Sequence, residues 1–462
     1  MNWILFGIVT YVALQIVIGF WASRSISTED DYLLAGRKFG YGLSIFSIFA
    51  TWFGAETCIG SSGRIFQEGI FGGLADPIGY GLCIFFMGLV FAVPLWKKQL
   101  TTLVDLFRIR FSENTERLAA LLMAPTSMLW AAAQIRAFGQ VIAFVSNFSV
   151  DIAISFAAIV VIIYTVSGGL MADAVTDIIQ GGMLILGLII IFVALVMNSQ
   201  LQSGFSQIHP EKFLLVSEKH STMDLLEALA IPLVGSMVVQ ELVARTLAAK
   251  SPRVAKNSAL IASGVYFLVG LIPAIIGLIG FSLVPEGTEP EQVLSTVAKS
   301  VLSPLLFILF TGALVSAILS TVDSALLASG AILSHNLVLR VFPHKSEELK
   351  LRWTRMLVIL SGVIAYLLAL TGGSVYELAE STSGFSSAGI FTITVFGLFS
   401  AFGSERAAIT SLIVGTLLWL VGSSSLGWSY PYLISLLGAV VSYLLIGWLE
   451  KNGSTSLRRY KR

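Results

Sequence analysis

Ala50-Thr-Trp-Phe-Gly-Ala-Glu-Thr-Cys-Ile-Gly-Ser-Ser-Gly63 is the stretch on which the reading of this chain turns. It lies inside an apolar run long enough to cross a bilayer, yet it carries Gly54, Gly60, Gly63 and the carboxylate of Glu56. A plain membrane anchor has no use for such an interruption. A helix broken at mid-depth frees backbone carbonyls and helix ends, and that is tolerated only where they face protein or a cavity.

The surrounding composition agrees. The 462 residues are 56% hydrophobic and 12% charged, with mean hydropathy +0.87, well outside the range of soluble globular domains. The apolar runs are continuous, not alternating, so the chain reads as an all-α polytopic membrane protein and not a β-barrel. Thirteen spans are expected, at about 3–22, 41–66, 74–96, 118–147, 151–168, 173–198, 224–249, 255–281, 303–336, 350–371, 375–402, 405–422 and 429–449. The first has no basic leader and is followed by Arg24 without a small-residue cleavage site, so it is expected to stay as an anchor.

Lys and Arg fall on one side. Arg24, Arg37, the group from Lys97 to Arg117, the group from Arg245 to Lys256, the group from Arg340 to Arg355, Arg406 and the tail after Glu450 flank alternate loops, against Lys212, Lys219 and Lys299 on the other side. Basic flanks stay inside, which puts the N-terminus outside and the C-terminus in the cytoplasm of a bacterial inner-membrane protein. The basic end Leu457-Arg-Arg-Tyr-Lys-Arg462 reads as a positive-inside terminus. Nothing suggests nucleic-acid binding.

A second interruption, Ile231-Pro-Leu-Val-Gly-Ser236, falls at mid-depth in span seven. Counting five helices from each break gives two sets, spans two to six and seven to eleven. A five-helix unit repeated in series must invert, which is the five-plus-five arrangement of leucine-transporter-type folds. The expected divisions are an extra helix and cytoplasmic loop at 1–40, repeat 1 at 41–200, repeat 2 at 224–402, and extra helices with a tail at 403–462.

Span nine contains Ser316-Ala-Ile-Leu-Ser-Thr-Val-Asp-Ser324, crowding Ser320, Thr321, Asp323 and Ser324 into an apolar helix. Such groups are costly in lipid unless compensated. Na⁺ is a hard cation that takes several oxygens, and adjacent hydroxyls with carbonyls from a broken neighbour supply them. The alternative is that the hydroxyls simply bond back to their own helix.

These residues resemble the sodium/solute symporter family. Asp31-Tyr-Leu-Leu-Ala-Gly-Arg37 is similar to its cytoplasmic motif after the first span, Gly168-Gly-Leu-Met-Ala-Asp-Ala-Val-Thr-Asp-Ile-Ile-Gln180 to its Thr-Asp-x-x-Gln helix start, and the third element is the Ser320–Thr321 pair. The resemblance implies a sodium site built from the carbonyls of Ala50, Phe53 and Ala317 with the hydroxyls of Ser320 and Thr321. It also implies a second sodium site at Asp177, Asp323 and Ser324, although Asp177 equally suits an anchor at the end of its helix. Within the family the chain looks nearest the choline-transporter branch. That implies an aromatic cage of Trp52, Tyr80 and Trp130 for a cationic substrate, with Val239 where the branch has a further tryptophan, and Glu56 and Asp76 where it has small residues.

The embedded charges have two readings. Glu56 and Arg136 could hold a substrate's amine and carboxylate, or Glu could pair with Arg across helices and leave Arg64 and Asp76 at the outer mouth. Gln134 and Gln240 are further polar candidates. His209, His220, His335 and His344 fall at loops or helix ends. Cys58 and Cys83 lie within spans and form no ligand spacing, and no nucleophile, phosphate-loop or cofactor motif is present. The expected function is sodium-coupled symport of a small organic solute, with no cofactor beyond Na⁺ as coupling ion and no oligomer required. A proton-coupled transporter or a membrane solute sensor on the same scaffold are the alternatives.

Overall fold

The computed structural model describes residues 3–22, 26–146, 148–342 and 346–459. Arg24, His344, Lys345 and the last three residues of the basic tail lie outside them. The chain is all-helical, with α1 (Trp3–Ala22), α2 (Glu29–Leu34), α3 (Tyr41–Trp52), α4 (Ser61–Glu68), α5 (Tyr80–Phe86), α6 (Ala92–Lys97), α7 (Val104–Arg110), α8 (Glu113–Val145) and α9 (Val150–Met197) in its first half. The second half adds α10 (Thr222–Ala230), α11 (Gln240–Ala248), α12 (Pro252–Ile279), α13 (Pro304–Ala331), α14 (Glu347–Thr371), α15 (Val375–Gly384), α16 (Ser387–Phe399), α17 (Glu405–Leu420) and α18 (Pro431–Arg459).

Helix starts follow from local chemistry. Thr28 caps α2 in a reciprocal capping box with Asp31, and the Ser112 and Ser251 side chains accept backbone N–H groups at the starts of α8 and α12. Pro304 opens α13 at the first helical position, where a missing N–H costs nothing. Every residue of α13 from Phe310 to Ala331 is buried. A helix apolar nearly all round belongs at the centre of a bundle, and α13 packs there against α8, α9 and α3.

Among the described residues nine helices are long and apolar enough to cross a membrane, ten if the bent pair Thr222–Gly235 and Gln240–Ala248 is one span. The thirteen expected spans include 41–66, which takes α3 and its break together, and 151–168, the first part of α9. In the structure Tyr41–Trp52 and Val150–Val166 are shorter apolar helices. The reason is backbone geometry: α3 stops at a break, and the chain turns within α9 at Gly169, where φ is +57°. A Cβ at Gly169 would also meet Tyr32 at 2.9 Å, so this turn needs glycine twice over.

Both expected interruptions are present. Gly54 N–H reaches back to the Trp52 carbonyl at 2.9 Å, with Phe53 at φ −83°, ψ 67°, an inverse γ-turn that ends α3 before the chain resumes as a wide π turn over Glu56–Gly60. The second break separates α10, continued by a π turn over Ile231–Gly235, from α11, which leaves at 44°.

At one end of the bundle Asp105, Glu116 and Glu29 gather around the end of α13. His335 lies 3.1 Å from Glu29 and 3.4 Å from Asp105, Asn336 donates to Asp105 and Glu116 at 3.0 Å each, and Arg340 meets the same two carboxylates at 3.2 and 3.3 Å. Burial works to raise the Asp105 carboxyl, but the hydrogen bonds from His335 and from the amides of Thr101 and Thr102 outweigh it and bring it down to about 2.

Candidate functional site

The site grows from the first break. Because α3 stops at Phe53, the Thr321 hydroxyl of α13 lies against it, 3.3 Å from the Ala50 carbonyl and 3.1 Å from the Ala317 carbonyl. Gly54 makes the approach possible: a Cβ there would stand 2.5 Å from Thr321 Oγ1 and 2.9 Å from Gln134 Oε1. Gln134, from α8, accepts the Ala55 N–H at 2.9 Å and so braces the restart of the chain. The structure thus brings oxygens of Ala50, Ala317 and Thr321 together beside the break, a donor set of the hard-oxygen kind that suits Na⁺.

Ser320 takes a different partner. Its hydroxyl donates to Asp177 Oδ1 in a short contact, while Ser47 donates to Asp177 Oδ2 at 2.7 Å. Asp177 therefore ties α3, α9 and α13 at one point. Asp323 is apart from it, accepting from Thr165 Oγ1 at 2.5 Å. Ser324 joins a third group: Arg245 of α11 donates to both Ser324 and Asp173 in short contacts, and Thr51 lies 3.3 Å from Ser324. The three residues expected to share a second sodium site thus hold three different sets of partners, because Asp177 stands on α9 and the consecutive positions Asp323 and Ser324 on α13 point in different directions. Among the described residues the cation nearest Asp177 is Arg245, 4.0 Å away.

Arg245 was counted with the loop cations. It is 1% exposed, the largest of the most deeply buried side chains, and its Nη1 also donates to the Glu241 carbonyl at 3.2 Å. The sequence offers one signal for this, the Thr-Asp-x-x-Gln segment, whose preceding Asp173 is the guanidinium's partner.

The aromatic residues do meet. Trp52 stacks on Tyr80 with centroids 5.4 Å apart at 23°, and Trp130 stands edge-on to Trp52 at 5.6 Å and to Tyr80 at 6.1 Å. Trp52 and Trp130 wall a cavity of about 10 Å³ together with Thr51, Ser127, Val239 and Glu241. That is room for about one water. Gln240 is directed away, its Oε1 accepting from Leu103 N–H at 2.8 Å. Glu56 lies behind the aromatic wall and accepts from Tyr80 at 3.2 Å. Asp76 accepts from Thr57 at 2.6 Å and Tyr266 at 2.9 Å, Arg64 pairs with Glu68 one turn along α4, and Arg136 donates to the Ala369 carbonyl at 3.0 Å. Asp76 is 2% exposed, and its partners are hydroxyls of neighbouring helices.

A helical bundle crossing the membrane many times, with oxygens and aromatic rings gathered at two helix breaks, defines a multi-pass transporter. The chain belongs to the sodium:solute symporter family, whose profile it matches over residues 32–415. This is a family of transporters and not of enzymes, with Na⁺ and a small solute as partners. It is 25% identical over 460 residues to the high-affinity choline transporter 1 of Caenorhabditis elegans, covering 91% of this chain and 78% of that one. It is 27% identical over 459 residues to the high affinity choline transporter 1 of Homo sapiens, covering 93% and 77%. Among solved structures it superposes with TM-score 0.84 on a substrate-bound, outward-open Na⁺-coupled sialic acid symporter, at 18% identity and covering 96% of this chain and 98% of that one. That likeness is one of fold.

Proposed function

We propose that this protein is a sodium-coupled symporter that imports a small organic solute bearing an amine or quaternary ammonium group by alternating access. The observation that carries it is the placement of Thr321 against the Ala50 and Ala317 carbonyls at the first helix break. In this reading Na⁺ is held by the carbonyls of Ala50, Phe53 and Ala317 with the hydroxyls of Thr321 and Ser320. Ser320 would turn from Asp177 to the ion. Trp52, Tyr80 and Trp130 receive the cationic head.

The finer architecture goes with it: thirteen crossings, inverted five-helix repeats at 41–200 and 224–402 flanked by 1–40 and 403–462, and a plasma-membrane orientation with the N-terminus outside and the C-terminus cytoplasmic. Ion binding joins α3 to α13 across the two repeats, so sodium and solute sites are linked and each raises the other's affinity.

Proton coupling is a second reading, favoured by one observation: two buried carboxyls, Asp173 and Asp177, face the one guanidinium of Arg245, and a third buried carboxyl, Asp323, is held by Thr165 without an ion pair among the described residues. Uptake into proteoliposomes separates the two. Sodium symport requires that accumulation collapse when Na⁺ is replaced by K⁺ at fixed pH and voltage. Accumulation that follows an imposed pH gradient without Na⁺ selects the proton.

A further inference from the structure

The aromatic cavity has a carboxylate of its own. Glu241, on the first turn of α11, lines it beside Trp52 and Trp130, is 4% exposed, and forms no ion pair among the described residues. Its one side-chain partner there is the Ser127 hydroxyl. The Arg245 guanidinium acts on it from one turn along α11 but is committed to Asp173 and Ser324. A buried carboxylate that must share its counter-charge is costly at membrane depth, and a cation in the cavity would offset that cost.

The hydroxyls around it sharpen the demand. Each owns a single proton. Thr51 donates its proton to the Ser47 carbonyl at 2.6 Å, Thr126 to Met123 at 2.6 Å and Thr382 to Leu378 at 3.0 Å. Tyr80 donates to Glu56, which leaves Ser383, 3.0 Å from Tyr80, to donate to the phenol, and Ser236, 2.9 Å from Ser383, to donate in turn. Ser127 spends its proton on Glu241. Among the described residues the cavity wall therefore presents mainly lone pairs and one negative charge, and its unmatched side-chain donors are the indole N–H groups of Trp52 and Trp130.

We infer that the solute is a small protonated amine that donates several N–H bonds, with Glu241 as the residue that sets this specificity, and that quaternary ammonium ions are poor ligands. A primary ammonium brings three donors to a wall of acceptors. A trimethylammonium brings none, and a carboxylate-bearing zwitterion would meet only the indole N–H groups of Trp52 and Trp130. This inference rests on the symporter reading for its sodium dependence alone.

The test is the thermal transition of the purified full-length protein with ethanolamine, N-methylethanolamine, N,N-dimethylethanolamine and choline, each titrated in Na⁺ and in K⁺. The apparent Kd should rise with every methyl group, to roughly 100-fold from ethanolamine to choline. E241Q should flatten the series to within about threefold, and E241D should keep its order. Choline binding as tightly as ethanolamine, or no shift with any of the four, overturns the inference. If the order holds equally in K⁺, the inference stands and the sodium reading fails.

Discussion

Thr321 and Ala50 are 271 residues apart in the chain, yet the hydroxyl of one lies 3.3 Å from the carbonyl of the other. The contact joins α13 to the last full turn of α3, so in the proposed sodium site the strength of ion binding and the relative position of two helices would be one variable.

Thr321→Ala, alone or with Ser320→Ala, should raise the Na⁺ concentration for half-maximal uptake by about 10- to 100-fold, the value of one lost interaction with a charged partner. The protein should still elute as a single species in detergent. Unchanged sodium dependence in the double variant would place the ion elsewhere.

Gly54→Ala puts a methyl 2.5 Å from Thr321 Oγ1 and 2.9 Å from Gln134 Oε1. Overpacking of this kind costs about 1–3 kcal/mol. Uptake should be abolished and the thermal transition lowered by several degrees. Gly42→Ala, where a Cβ meets nothing within 4 Å, is the matched control and should leave both unchanged.

Arg245→Ala leaves Asp173 buried and without its cation. Breaking one side of such a pair costs about 3–5 kcal/mol. We expect poor recovery of folded protein, partly restored in Arg245→Ala/Asp173→Ala, because the second change removes the orphaned carboxylate. A double variant no better than the single one would mean that the guanidinium acts through Ser324 or Asp177 instead.

Asp105 makes stability depend on acid. Its folded value of about 2 is below the ordinary 3.8, so its contribution is present above about pH 4 and is lost as the pH falls through 2. Asp105→Asn should lower the melting temperature at pH 7 by several degrees and shrink the loss seen between pH 4 and pH 2. A wild-type melting curve and a variant curve that run parallel across that window would remove Asp105 from the account.

Much of the fold was legible in the sequence because its signals are local. Glycines and a proline inside apolar runs mark the two breaks, and adjacent hydroxyls at Ser320 and Thr321 mark the helix that faces the first one. What sequence hid depends on helix rotation. Asp323 and Ser324 are neighbours, but on α13 they are about 100° apart, which sends one to Thr165 and the other to Arg245. Gln240 was the polar candidate there, yet for the same reason it is the neighbouring Glu241 that turns into the aromatic cavity while Gln240 turns toward Leu103. Arg245 looked like a loop cation because charge is read along the chain, whereas its burial is decided by α9 and α13.

The small volume between Trp52 and Trp130 has a kinetic meaning. With about 10 Å³ enclosed, the walls must part before any solute can enter. Association then has a ceiling: at high concentration the observed binding rate should level off at the rate of opening, and it should level off at the same value for every solute the cavity accepts.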